Sequence, residues 1–289
     1  MPNINQTEKQ LTEYFKVSCT YLKENVDIIS KAHVKIAKSA INSTKHDEIN
    51  MALFPLTTCI IDSYRSYYIL STNRCLREAY VSSRTILETI LNIGYISCEG
   101  VPAAEKAVNH AKQKTYRDLD RILKTKHLEI HIGIKDFNKL NIDDDLQKAI
   151  DYFTTSKGKE NRKWDNNSTF SKIELIHDTF GDDISAKLSW SLFHIYRYAS
   201  EVAHGTVFNA LHMAGLTQQD SIRPKNANDY SKHNYFELAL LNQTTMIMAY
   251  CVLNILKKHY EIQDSIDNWI YLSEKFKKED IVHKIKSVK

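Results

Sequence analysis

The 289-residue chain has only seven glycines and four prolines. A sheet protein of this length would need many more turn residues, so their scarcity points to an all-α fold. No Gly-rich phosphate loop and no Gly-x-Ser-x-Gly elbow occurs, which leaves kinase, NTPase and serine-hydrolase readings without support. The five cysteines (Cys19, Cys59, Cys75, Cys98 and Cys251) are odd in number and scattered, with no Cys-x-x-Cys pair. Most lie among apolar residues, as small core residues do, which argues against a zinc module and fits a reducing cytoplasm. The N-terminus lacks a basic and apolar leader pattern, and no uninterrupted apolar run reaches the length of a membrane span. The expected location is therefore the cytoplasm, with no membrane partner. The Asn-x-Ser/Thr matches at Asn42, Asn166, Asn167 and Asn242 then carry no meaning.

A strong charge imbalance is also missing. The net charge is +4, and the stretch Ser273–Lys289 contributes six lysines against Glu274, Glu279 and Asp280, leaving the remainder near +1. Nucleic-acid binding would have to come from a local patch, because phosphate affinity scales with the charges delivered to the strand. The Lys-rich tail reads more simply as a solvated helix end.

What the chain does have is helical periodicity. Leu11, Phe15, Leu22, Val26, Ile29 and Ile36 predict a first amphipathic helix from Thr7 to about Asn42. A second runs from about Asp47 to Ser71, and a third, Arg74 to Ser97, is apolar on most sides and should lie centrally. A fourth starts near Pro102 and reaches about Lys124, followed by a weakly patterned stretch to Asn141. Asp143-Asp144-Asp145 favours a helix start, giving a helix to about Ser156. Residues 158–169 form a polar loop, and short helical turns follow from Ser171 to Phe180. Asp182 to Ala203 reads as one helix, then a less regular stretch reaches Tyr230. A long helix to about Tyr260 and a final polar helix from Ile266 to Val288 complete the chain. Without repeats or long linkers, residues 1–289 make a single helical domain.

Chemistry concentrates in Tyr196-Arg197-Tyr198-Ala199-Ser200-Glu201-Val202-Ala203-His204-Gly205. Seven residues return a helix to nearly the same face about 10 Å further on, so Arg197 and His204 share a stripe with Ser200 and Glu201. Gly205 suits the left-handed residue that ends a helix, placing His204 at the exposed end. A plainer reading competes: Arg197 supports the helix by pairing with Glu201, and His204 caps the last carbonyls. Arg77 and Arg84 are again seven apart, on a helix too apolar for idle charges. Glu88 is the expected structural partner of Arg84. His127 and His131 have the i, i+4 spacing of a metal site, but His-Leu-Glu-Ile-His is not His-Glu-x-x-His and lacks further ligands, so no metal is expected. Tyr64, Tyr67 and Tyr68 with Arg65 could stack on bases, although aromatics at helical spacing usually face another helix.

These residues resemble the Arg-x4–6-His signature of HEPN proteins, a superfamily of helical domains. The likeness is closer still to an uncharacterised HEPN-like family of bacterial proteins. Its pattern runs roughly Arg-x-x-x-Glu on an apolar helix, a Trp, then Tyr-Arg-x-x-Ser-x-x-x-His-Gly. Here the elements are Arg84 through Glu88, Trp164, and Tyr196-Arg197 through Ser200 to His204-Gly205. The sequence departs from active members in carrying Tyr198 where a polar residue is frequent, and in its long six-residue spacing.

The resemblance implies an up-down helical bundle with a core over approximately residues 47–260 and peripheral terminal helices. It implies homodimers in which two Arg/His motifs meet across the axis and cut RNA without metal or cofactor, in toxin–antitoxin or antiphage systems. Arg197, His204, Ser200 and Glu201 would be the catalytic set, with Arg84, Glu88, Arg77 and Tyr196 in structural or supporting roles. RNA would be the substrate, and a cognate antitoxin or regulatory protein a further partner. Such cleavage needs a base for the 2′-OH, an acid for the leaving 5′-oxygen and positive charge at the phosphorane. Histidine suits both proton roles, and a helix C-terminus favours a cation, so one His204 leans towards the acid. Arg197 offers a permanently charged fork to phosphate. The alternative is a non-catalytic HEPN-like module that binds RNA, nucleotide or a protein partner in such a system. A purely structural helical interaction protein is the third reading.

Overall fold

The computed structural model describes residues 8–42, 47–133, 142–220 and 223–279. Within them the chain is an all-α bundle with one small hairpin. Helices α1 (Glu8–Asn42), α2 (Glu48–Thr72), α3 (Leu76–Glu99) and α10 (Ala227–Leu256) form the body, each packing on at least two of the others. α3 is central as expected, meeting α2, α10 and α6 (Thr169–Phe180), and also α8 (Arg197–Ala203). Gly94 lets α3 approach α6 closely, since a Cβ there would lie 2.4 Å from the Ile176 Cδ1 atom. α1 and α11 (Gln263–Glu279) pack against each other and against α10. α1 sends Leu22 and Ile36 fully into the core, and Trp269 of α11 donates its indole N–H to the Met246 carbonyl (3.0 Å).

Side chains supply the orphan amide acceptors at several helix starts: Asp47 for α2, Asp143 for α5 (Asp144–Tyr152), Ser168 for α6 and Asn226 for α10. Inside, Asn242 ties three helices together. Its carbonyl accepts from Tyr67 (2.8 Å) and Ser71 (2.7 Å), and its amide donates to Ser18 (3.0 Å). Tyr64 donates to the Thr245 carbonyl. Tyr64 and Tyr67 are completely buried, which makes them core residues rather than a base-stacking surface. α10 is the apolar exception to the sequence reading: it is long and apolar enough to cross a membrane, yet 72% of its most apolar window is buried in the bundle. All five cysteines are free, with Cys251 buried and Cys59 exposed.

Several boundaries differ from expectation. α4 (Val101–Asp118) stops well before Lys124. The chain instead makes an antiparallel hairpin, β1 (Asp120–Lys124) and β2 (Glu129–Gly133). His127 and His131 therefore lie on a turn and a strand rather than one helix face, and His131 bonds to Asp120. The helix expected from Asp182 to Ala203 is divided into α7 (Asp182–Ser191), a π-turn (Leu192–Tyr196) and α8. The stretch after Gly205 contains α9 (Val207–Met213). The last residues of the Lys-rich tail and of the helix expected to reach Val288 lie outside the described residues, as does Thr7.

Candidate functional site

The motif helix ends as its residues require. His204 is the cap, and Gly205 takes φ +62°. The Gly205 amide donates to the Val202 carbonyl (3.1 Å) and the Thr206 amide to Glu201 (3.3 Å), the paired bonds of a Schellman stop. Thr206 then restarts the chain as the N-cap of α9, accepting from the Asn209 amide. Two short helices thus meet at a corner, with His204 exposed at its tip.

Arg197 is exposed on the same helix. It makes no ion pair among the described residues; its guanidinium carbon lies 5.6 Å from the centroid of the Phe208 ring instead. Glu201 does not meet it. The Glu201 carboxylate accepts from the Thr206 hydroxyl at 2.7 Å, bracing the corner. The helix-supporting Arg197–Glu201 pair is therefore absent, and Glu201 makes no described bond to the imidazole. Ser200 is half-buried between these groups, with no described side-chain hydrogen bond.

Behind the motif lies an aromatic column that the sequence did not disclose. His212 of α9 lies flat against Tyr198, with centroids 4.0 Å apart and planes 7° from parallel. Phe208 lies nearly parallel to His212 on the same helix (6.0 Å, 5°). Tyr198 meets Tyr80 of α3 (6.1 Å), whose hydroxyl donates to the half-buried Glu237. Burial pushes the His212 pKa down to about 4, helped by His233 and Arg197. His194, in the π-turn, is likewise lowered to about 4, by burial first and by His212 second, while its Nδ1 bonds to Thr244 (2.9 Å). Both rings are therefore neutral at neutral pH.

The supporting residues come together unevenly. Arg84 pairs with Glu88 (2.8 Å), as its spacing implied, and its guanidinium also covers the Tyr196 ring at 4.6 Å. That contact joins α3 to the π-turn that leads into the motif helix. Arg77 is exposed and makes no ion pair among the described residues. Trp164 serves elsewhere: it and Tyr95 flank the buried Lys172, which donates to Asn92 (2.7 Å) and Asp165 (3.0 Å). Sequence reading missed Lys172, because nothing local marks a lysine at a helix start as buried. Among the described residues, no group of three or more His, Cys, Asp or Glu side chains is placed to hold a metal ion.

The motif, the Arg84–Glu88 pair and Trp164 all fall within residues 50–222, the span matched by one family model. The chain belongs to DUF5677, a family of unknown function. No curated protein and no solved structure matches it. The DUF5677 span takes in α3, the hairpin and the whole α8–α9 corner, and stops short of α10.

Proposed function

We propose that this DUF5677 protein is a cytoplasmic, HEPN-like, metal-independent endoribonuclease acting as a toxin or antiviral effector. The observation that carries the reading is an exposed Arg197 with no carboxylate partner among the described residues, on the helix that ends in an exposed His204. An arginine kept on a ring rather than on a carboxylate retains its fork for phosphate oxygens. In the reaction, a base removes the 2′-OH proton and the 2′-oxygen attacks phosphorus. The 5′-oxygen then leaves with a proton from the acid, giving a 2′,3′-cyclic phosphate and a 5′-hydroxyl. Arg197 stabilises the extra negative charge on the phosphorane. One chain presents one such histidine at the helix end, so two copies of His204 across a homodimer axis divide the acid and base roles.

A second reading is favoured by a separate observation. Phe193 and Val207, flanking the motif, are 79% and 77% exposed, and Trp190 is 44% exposed. Trp190 and Phe193 lie together, ring centroids 6.5 Å apart, and contiguous exposed apolar surface marks contact with another macromolecule. It suits the homodimer, and equally a non-catalytic module that binds RNA, nucleotide, an antitoxin or a regulatory protein.

The test compares wild type with Arg197→Ala and His204→Ala for RNA cleavage in chelator and for toxicity on expression. Cleavage by wild type alone is expected, with both variants down by at least about a hundredfold. Equal behaviour of all three would leave the binding-module reading standing in its place.

A further inference from the structure

The hairpin is amphipathic by its pleat, and neither face is buried. Its register pairs Asp120 with Gly133, Arg121 with Ile132, Ile122 with His131, Leu123 with Ile130, and Lys124 with Glu129. Paired residues share a face. One face therefore carries Asp120, Ile122, Lys124, Glu129 and His131, held by the Lys124–Glu129 ion pair (2.7 Å) and the Asp120–His131 contact. The other carries Arg121, Leu123, Ile130 and Ile132. Ile132 is 69% exposed and Leu123 59%, above a groove of about 690 Å³ that they share with Arg117 and Arg162. Isolated two-stranded hairpins are marginal in water, and open strand edges attract further strands.

The edge that is open can be identified. The Thr125 amide bonds to the Leu128 carbonyl (2.7 Å), which fixes the alternation along β1. Residues 121 and 123 then point their backbone groups at β2, and Asp120, Ile122 and Lys124 point theirs outward. No described residue pairs with that edge.

The order of residues on this edge is self-complementary. Laid antiparallel on itself about Ile122, Asp-Arg-Ile-Leu-Lys sets Asp120 opposite Lys124 of the other copy, Arg121 opposite Leu123, and Ile122 opposite Ile122. On the charged face the rows then read Glu129, Lys124, Asp120 across the junction, with neighbouring signs opposite throughout. The β2 edge offers no such match, because self-pairing about His131 sets Glu129 opposite Gly133. We infer that the β1 edge is a self-association surface, where two copies of this chain join their hairpins into one four-stranded antiparallel sheet. This interface is separate from the α8–α9 corner and holds whether or not the protein cleaves RNA.

The experiment uses the full chain and site-directed cross-linking under mild oxidation, with helical circular dichroism to verify folding. In the paired sheet, the two Ile122 Cα atoms lie about 5.5 Å apart, within disulfide reach, whereas the two His131 Cα atoms are about 14 Å apart. Ile122→Cys should give roughly tenfold more covalent dimer than wild type or His131→Cys. Adding Lys124→Asp opposes two carboxylate pairs and should suppress that dimer about tenfold. Adding Asp120→Lys as well restores opposite signs between copies, although it breaks both intrachain pairs, and should recover the dimer. Equal linking at Ile122→Cys and His131→Cys, or linking indifferent to the charge reversals, overturns the inference.

Discussion

Arg197 rests on Phe208, its guanidinium carbon 5.6 Å from the ring centroid, and Phe208 in turn lies parallel to His212. The direction of the candidate phosphate-binding group is thus set by α9, a helix the sequence does not announce. A cation–ring contact at an exposed site contributes about 0.5–1 kcal/mol. If Arg197 acts as proposed, Phe208→Leu should slow RNA cleavage roughly three- to fivefold, mostly in kcat, while Arg197→Ala slows it far more. Steady-state rates on one RNA substrate check this. An unchanged rate in Phe208→Leu would remove α9 from the positioning of Arg197.

Glu201 occupies the motif stripe but spends its carboxylate on the Thr206 hydroxyl at 2.7 Å. It should therefore matter to the corner and not to proton transfer. Glu201→Gln keeps an acceptor for Thr206 and should retain cleavage within about twofold, at a stability cost under about 1 kcal/mol. Urea unfolding and initial rates measured on the same preparation decide it. A hundredfold loss of rate with unchanged stability would return Glu201 to the reacting groups.

Much of the bundle was legible because buried residues recur at helical spacing, and Gly205 announced its own left-handed turn. The same regularity concealed the π-turn. Leu188, Leu192, Ile195, Ala199 and Val202 are all buried at spacings of three and four, so the apolar pattern passes through the irregular segment without a break. The hairpin escaped because its strands are five residues long and Ile122-Leu123 breaks apolar alternation. Arg84–Glu88 was readable as a local i, i+4 pair. The contacts of Arg197 with Phe208 and of Lys172 with Asn92 depend on how helices are brought together, and no local pattern encodes them.

His194 and His212 are both held neutral, with pKa values lowered to about 4 chiefly by burial. Unfolded imidazoles bind protons below about pH 6.5. Between pH 6.5 and 4 the unfolded chain therefore holds more protons at these two positions, so stability falls as pH falls through that window. Above pH 6.5 their contribution is complete. The expected loss is roughly 1–2 kcal/mol per histidine by pH 5. His212→Phe preserves a flat ring against Tyr198 and removes one titration. Its unfolding free energy should depend less steeply on pH than that of wild type between pH 4 and 6.5. Identical slopes in pH-dependent urea melts would mean that His212 does not titrate with folding.

Lys172 and Asp165 form a buried ion pair, 3.0 Å apart and both 8% exposed, flanked by Trp164 and Tyr95. Asp165 also accepts from the Asn167 amide (2.8 Å), so the pair fixes the end of the polar loop against α3 and α6. Removing one member leaves the other charge buried without its partner, a loss of about 3–5 kcal/mol. Lys172→Met should approach that figure, because methionine fills the stem's volume but supplies no donor to Asp165 or Asn92. Replacing both, as Lys172→Met with Asp165→Asn, removes the stranded carboxylate while an amide oxygen still accepts from Asn167. The double variant should be more stable than Lys172→Met by at least about 1 kcal/mol. Urea midpoints for the two single variants and the double variant complete the cycle. A double variant less stable than Lys172→Met would mean that Asp165 holds the loop through Asn167 more than through the lysine.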